Sequence, residues 1–400
     1  MKTWFVNKCR DTYQGWHDWW NAEDGVSYDR FFFTLMILLL CIGFVMVTSA
    51  SVPVAERLYH DPLHYAERHV FYLVFGGALA YVVLNVPINW WHQSNMLLLA
   101  FGVLGLIAVL AVGKNVNGST RWLVLGPINI QAAEPAKLFF FVYLSSYLVR
   151  RHDEVRENLK GFLKPLLILF IFAVLLLLQP DLGTVIVMFS TSVALLFLAG
   201  AKLWQFIGLI LTGLAAISFL IIYSEYRWRR VTSYLDPWAD PFGSGYQLTQ
   251  SLMAFGRGSW NGQGLGNSVQ KLEYLPEAHT DFIFAVIAEE TGLIGVFFVL
   301  TLLFMLLLRA LWIGKRALQK GMSFHGFLAY AIAVWIGFQT FVNIGVATGL
   351  LPTKGLTLPF VSYGGSSLII MLMAAAIVLR IDFEVRIKGR HAIAGGGGNA

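Results

Sequence analysis

The sequence predicts an all-α polytopic membrane protein, with about ten transmembrane helices and a long extracytoplasmic loop between helices seven and eight. Three observations carry that expectation. First, 57% of the 400 residues are hydrophobic and only 13% are charged, whereas soluble domains carry about 25% charge. Second, apolar stretches recur at the length that crosses a bilayer core, roughly 20 residues. Third, Lys and Arg gather in particular loops, as orientation signals do. The mean hydropathy is +0.65.

Taken in order, residues 1–30 form a charged, Trp-rich tail with no short apolar core, so no cleavable leader is expected. Trp16, Trp19 and Trp20 at i, i+3, i+4 spacing suit an interfacial helix or a docking surface. Spans are expected near 31–51, 69–86, 95–113, 136–149, 163–179, 183–200, 203–223, 282–308, 325–350 and 366–381, within a membrane domain over 31–381. The fourth is short and polar at its start. The fifth and sixth are joined by the tight turn Gln179-Pro-Asp-Leu-Gly183. A tail over 382–400 ends in flexible glycines.

Basic groups precede span one (Lys2, Lys8, Arg10, Arg30), separate spans four and five (Arg150, Arg151, Arg156, Lys160, Lys164), separate eight and nine (Arg309, Lys315, Arg316, Lys320) and follow span ten (Arg380, Arg386, Lys388, Arg390). With an even number of spans these share one side, so both termini are expected in the cytoplasm. The polar segment 224–281 is then extracytoplasmic. The net charge of +6 is divided among loops on both sides, which argues against nucleic-acid binding. Cys9 and Cys41 can build neither a disulfide framework nor a metal quartet, and read as a free thiol and a core residue.

Three polar clusters face outward. The first closes the long segment, where Glu273, Glu277, His279 and Asp281 gather at the mouth of span eight. A carboxylate there is costly at full depth, about 2.5–3.5 kcal/mol on insertion scales. Asp281 at a helix start reads equally as an N-cap. Its three neighbours and the turn set by Pro276 favour a functional role. Glu289 follows eight residues on, about 80° round and roughly 12 Å deeper. Upstream, 227–266 interleaves Trp, Tyr, Gln and Asn with glycines, which suits sugar and amide recognition.

The second cluster spans 117–137. There Arg121 is suited to gripping phosphate and Lys137 to acting as a buried point charge, unless Lys137 simply pairs with Glu134 at i, i+3. The third is the Gly/Pro-broken stretch 351–367, with Lys354 and Ser362 as candidate contacts. Broken backbone at membrane depth must line a cavity or be buried in protein. The three clusters are expected to surround one outward hollow. No P-loop, GxSxG or metal-ligand spacing is present, so the chemistry must run on a carboxylate base and cationic phosphate contacts.

At these residues the chain resembles the SEDS family (shape, elongation, division and sporulation) from about residue 30 to 385. The motifs are Gly-Ser-Thr-Arg121-Trp-Leu, Gln179-Pro-Asp-Leu-Gly-Thr184, Asp240-Pro-Phe-Gly-Ser-Gly-Tyr-Gln247, Leu275-Pro-Glu-Ala-His-Thr-Asp281-Phe-Ile-Phe-Ala and Leu358-Pro-Phe-Val-Ser-Tyr-Gly-Gly-Ser-Ser367. The long N-terminal tail and Gln270-Lys-Leu-Glu-Tyr-Leu-Pro-Glu-Ala are most similar to the family's division branch. One departure is Gln131-Ala-Ala-Glu134, where the family commonly has proline after the glutamine.

The resemblance implies a peptidoglycan glycosyltransferase polymerising lipid II in the bacterial inner membrane at the division septum. Asp281 matches the family's catalytic residue, and Glu273 matches another position the family needs. Asp281 would act as general base, with Arg121, Lys137 and Lys354 receiving the diphosphate, and Glu277, His279 and Ser362 would complete the binding set. The implied partners are a class B penicillin-binding protein transpeptidase, FtsI, and the FtsQ, FtsL and FtsB assembly. No residue set demands a cofactor or a metal ligand, though a divalent cation, Mg or Mn, would suit diphosphate departure. A lipid II transporter or flippase and a non-catalytic division scaffold are the competing readings.

Overall fold

In the computed structural model, residues 28–116, 119–125, 128–352 and 355–396 are described. The Trp-rich part of the N-terminal tail, Cys9 and Lys354 lie outside them. Each of the ten predicted stretches falls on a helix. These are α1 (Arg30–Tyr59), α2 (His64–Asn85), α4 (Asn95–Val112), α5 (Ala133–Arg150), α7 (Leu159–Leu178), α8 (Leu182–Leu198), α9 (Leu203–Ile222), α12 (Ile283–Gln319), α13 (Ser323–Ala347) and α14 (Gly365–Gly396). Short helices α3 (Ile88–Gln93) and α6 (His152–Glu157) turn the chain between spans. Among the described residues, α1, α2, α4, α7, α9, α12 and α13 are long and apolar enough to cross a membrane. Helix α8 is apolar but has only 17 residues, and α5 carries Glu134 and Lys137 in its first turns.

Two regions depart from the expected pattern. Residues 114–131 form a three-stranded antiparallel sheet, β1 (Lys114–Val116), β2 (Ser119–Leu125) and β3 (Ile128–Gln131), with Trp122 opposite both Lys114 and Gln131. The long segment after α9 is also ordered: it contains α10 (Glu225–Leu235), α11 (Tyr246–Gly258) and a π-type turn at Gln270–Tyr274. Cys41 is exposed on α1 rather than in the core. A solvent-averse side chain needs no protein partner when lipid covers it.

Helix α13 is the most enclosed of the seven long apolar helices: 61% of its most apolar window is buried, against 6% for α9. At one end of the bundle, buried Asp29 caps α1 by accepting from Phe32 N at 2.7 Å. Arg309 of α12 donates to the same carboxylate at 2.6 and 2.8 Å. Helix α1 has 30 residues, about 45 Å at 1.5 Å per residue, which exceeds a hydrocarbon core of about 30 Å. Its far end therefore rises past the core and carries Arg57 to the polar segment that precedes α12. An apolar groove of about 770 Å³ between α1, α2 and α14 holds none of the predicted site residues.

Helix α12 breaks at Gly292, whose φ of 68° and ψ of −170° lie where L side chains rarely go. The break frees carbonyls, and the outer segment fills them. Gln263 N donates to Glu289 O at 2.9 Å and Gly264 N to Glu290 O at 3.0 Å. In return, Leu293 N donates to Ser259 O at 3.0 Å and Ile294 N to Trp260 O at 3.2 Å. The 258–267 stretch is thus stitched to α12 by backbone pairing, as irregular backbone at that depth requires.

Candidate active site

The segment carrying Asp281 is a series of turns. Thr280 N and Phe282 N both donate to Glu277 O at 3.2 Å. Helix α12 then begins at Ile283, with Phe282 at the cap position and no side-chain cap bond. Asp281 is therefore not the N-cap that its position suggested. The turns consume the backbone groups that a capped helix would have used.

A buried amide anchors the Asp281 backbone. Asn343 on α13 donates its side-chain amide to the Asp281 carbonyl at 2.8 Å. The same amide donates to Leu356 O at 2.6 Å, which draws the third cluster alongside. A Cβ placed on Gly355 would lie 2.9 Å from Asp281 Oδ2, so glycine lets this backbone abut the carboxylate. Tyr363 N donates to His279 O at 3.0 Å. The second cluster joins from the other side: Ser366 Oγ accepts from Gln131 N and donates to Asn129 O, both at 3.0 Å. The three clusters do converge, with 355–367 between the other two.

Glu273 pairs with Arg57 at 2.6 Å. Glu277 accepts from Thr280 Oγ1 at 2.6 Å. Both acids sit at positive φ, 70° and 58°, conformations costing about 1–3 kcal/mol that gather at functional sites. His279 is 8% exposed and lies against the Tyr65 and Tyr363 rings, with centroids 4.8 and 5.6 Å away. Burial holds its imidazole below the ordinary value, with Glu277 pulling weakly the other way. Burial pushes the Tyr363 phenol up, and Arg68 opposes the shift.

Arg121 donates Nε to Gln179 O at 3.0 Å and another nitrogen to Pro180 O, tying β2 to the α7–α8 turn. In that turn Asp181 caps α8 through Thr184 N at 3.2 Å and Thr184 Oγ1 at 2.8 Å. Lys137 is fully buried. Its ammonium meets Glu134 at 2.9 Å, Gln339 Oε1 at 3.2 Å and the Trp335 ring at 5.0 Å. The i, i+3 pairing with Glu134 is therefore present, and it is extended by α13. Ser362 Oγ accepts from Leu358 N at 2.8 Å and fixes the turn of the third cluster.

The deep acids are occupied. Glu289 accepts from Ser268 Oγ, from Val269 N at 3.0 Å and from Gln270 N at 3.2 Å. Glu290 accepts from Lys271 at 2.7 Å and from Ser49 at 2.8 Å. Both hold the approach to the site in place. Among the described residues no group of three or more His, Cys, Asp or Glu is arranged to hold a metal ion. Sequence reasoning missed Asn343, Gln339, Tyr65 and the position of Arg68 beside Tyr363. The amide pair at i, i+4 in an otherwise apolar helix was the available signal.

The chain is similar to known proteins over nearly its whole length. The family model described as "Cell cycle protein", for FtsW, RodA and SpoVE, matches residues 29–387. A protein of Pseudoalteromonas atlantica called "Probable peptidoglycan glycosyltransferase FtsW" is 62% identical over 92% of this chain and 75% of its own length. One of the same name from Escherichia coli is 54% identical, over 94% and 91%. Among solved structures, one described as "Structural coordination of polymerization and crosslinking by a peptidoglycan synthase complex" aligns with a TM-score of 0.74 at 30% identity, over 90% of this chain and 99% of that one. The Thermus thermophilus rod shape determining protein RodA aligns at 0.66 and 29%, over 89% and 96%. On that breadth of sequence and fold, the chain belongs to the FtsW/RodA/SpoVE family of cell cycle proteins, the SEDS family.

Proposed function

We propose that this multi-pass membrane protein is a peptidoglycan glycosyltransferase that polymerises lipid II into glycan strands during septal cell-wall synthesis. Relatives that share more than half of its residues carry the name of that activity. The observation that carries the chemistry is Asp281, held by its carbonyl on Asn343 with its carboxylate against the Gly355 backbone. Asp281 takes the proton from the C4 hydroxyl of the acceptor sugar. That oxygen bonds to the anomeric carbon of the donor, the bond to the diphosphate breaks, and undecaprenyl diphosphate leaves with the electron pair. Arg121, Lys137 and Lys354 are the proposed cations for the departing phosphates, with Glu273, Glu277, His279 and Ser362 shaping the binding surface.

The proposed setting is the inner membrane at the septum, with both termini cytoplasmic and residues 224–281 outside. The proposed partners are a class B penicillin-binding protein transpeptidase, FtsI, and the FtsQ, FtsL and FtsB assembly. The similarity to a synthase complex that couples polymerization to crosslinking supports a transpeptidase partner. A divalent cation is a variable for the assay, to be added and chelated in parallel.

The test is Asp281→Asn in the purified complex with lipid II, with product read on a gel. A general base contributes about 10²- to 10⁴-fold, so polymer should fall by at least a hundredfold. Wild-type polymer from the variant would end the assignment of the base. Lipid II translocation in liposomes with no polymer from the wild type would replace the enzyme reading with a transporter.

A further inference from the structure

We infer that Asn343 is a positioning residue for Asp281, through one amide shared between two chain segments; this rests on the reading of Asp281 as the base. Its Nδ2 donates to the Asp281 carbonyl at 2.8 Å and to the Leu356 carbonyl at 2.6 Å. Asn343 is 1% exposed and lies on the last turn but one of α13. The amide thus ties the base to a largely buried helix, and not only to its own chain of turns.

Gln339, one turn earlier on the same face, extends the arrangement. It donates to Thr357 O at 3.0 Å and Thr357 Oγ1 at 3.3 Å. Its oxygen accepts from Lys137 at 3.2 Å and from Trp335 Nε1 at 2.9 Å. Thr357 Oγ1 lies 2.9 Å from Ser367 Oγ at the start of α14. One face of α13 therefore grips consecutive carbonyls, at 356 and 357, of the broken segment whose Gly355 abuts the Asp281 carboxylate. An asparagine is required at position 343 because a single group must present two hydrogens to two acceptors, a capacity no hydroxyl or carboxylate has. Asn343 touches the base only through the backbone, so it sets where the carboxylate stands and leaves substrate contacts to others. Misplacement by about 1 Å at such a site costs on the order of a hundredfold.

The experiment measures kcat and KM for lipid II polymerisation by the purified full chain with its transpeptidase partner, per folded molecule by size exclusion. Asn343→Leu keeps the branched shape and removes both donors. The expected result is a kcat lower by about thirtyfold, equivalent to about 2 kcal/mol, with KM within about twofold. Amide exchange at 278–283 and 355–358 should quicken in the same preparation. Should that variant fail to assemble, Asn343→Ser carries the same measurement with less steric change. Unchanged kcat, or a raised KM with unchanged kcat, overturns the inference while Asp281→Asn remains inactive. Activity in Asp281→Asn overturns the base itself, which separates the two failures.

Discussion

Glu289 offers the sharpest test of how the outer segment is held, because its buried carboxylate serves three donors at once. Ser268 Oγ, Val269 N and Gln270 N all point to it, and Arg257 Nε stands 3.6 Å away. Glu289→Ala removes the acceptor and leaves these donors facing a small void. Each unsatisfied buried group costs about 1–3 kcal/mol, and breaking a buried charged contact typically costs about 3–5 kcal/mol. The loss falls on the segment that leads to Asp281, since the rest of α12 keeps its packing. Hydrogen exchange of the Val269 and Gln270 amides should therefore quicken by about 10²- to 10³-fold, at about 1.4 kcal/mol per tenfold. Glu289→Gln keeps one acceptor oxygen but loses the charge, and should lie between, at about 1–2 kcal/mol. Wild-type exchange at both amides in Glu289→Ala would falsify the anchoring role. An inactive Glu289→Gln with unaltered exchange would instead give the acid a direct part in the reaction.

His279 makes the region sensitive to acid. Burial places its folded pKa below the unfolded value of about 6.5, so below that pH the unfolded segment binds more protons than the folded one. Its contribution to stability is full above about pH 6.5 and declines as pH falls, with Tyr65, Tyr363, Glu277 and Arg68 around it. Melting temperature in detergent should drop between about pH 7.5 and 5.5, and less steeply for His279→Phe; equal slopes would reject the assignment. Gly355→Ala sets a methyl 2.9 Å from Asp281 Oδ2. Overpacking of this kind costs about 1–3 kcal/mol, so polymerisation should fall about tenfold while melting shifts little, and an unimpaired variant would show that the two segments move apart freely.

The seven long apolar helices were legible because an apolar run of bilayer length leaves the backbone one economical arrangement. The convergence of three polar clusters was legible for a related reason: irregular backbone at that depth must be covered by more backbone. The sheet at 114–131 was not legible. Its strands are short, at 3, 7 and 4 residues, and their pairing is decided by the turns between them. The alternative reading of Asp281 as an N-cap fails because the Glu277 carbonyl takes the amides of Thr280 and Phe282, so the helix opens two residues later. Asn343 and Gln339 read as isolated amides in an apolar helix, where a satisfied core role is the ordinary one. Only the fold reveals that their partners are carbonyls of distant segments.

The acids around the 268–281 segment divide by what each accepts. Glu289 holds backbone amides and a hydroxyl of the 268–270 turn, and Glu290 holds Lys271 and Ser49. A carboxylate so deep is tolerable only when its lone pairs are filled, and filling them makes it a fastener. Glu273 and Glu277 are engaged nearer the surface by Arg57 and Thr280. Asp281 is held by its carbonyl, which accepts from Asn343 of α13, and its carboxylate lies beside Gly355. Holding Asp281 by its backbone fixes where its side chain starts. The same logic explains why the neighbouring chain is broken there, since a regular helix would have left Leu356 O and Thr357 O bonded within itself and beyond the reach of α13.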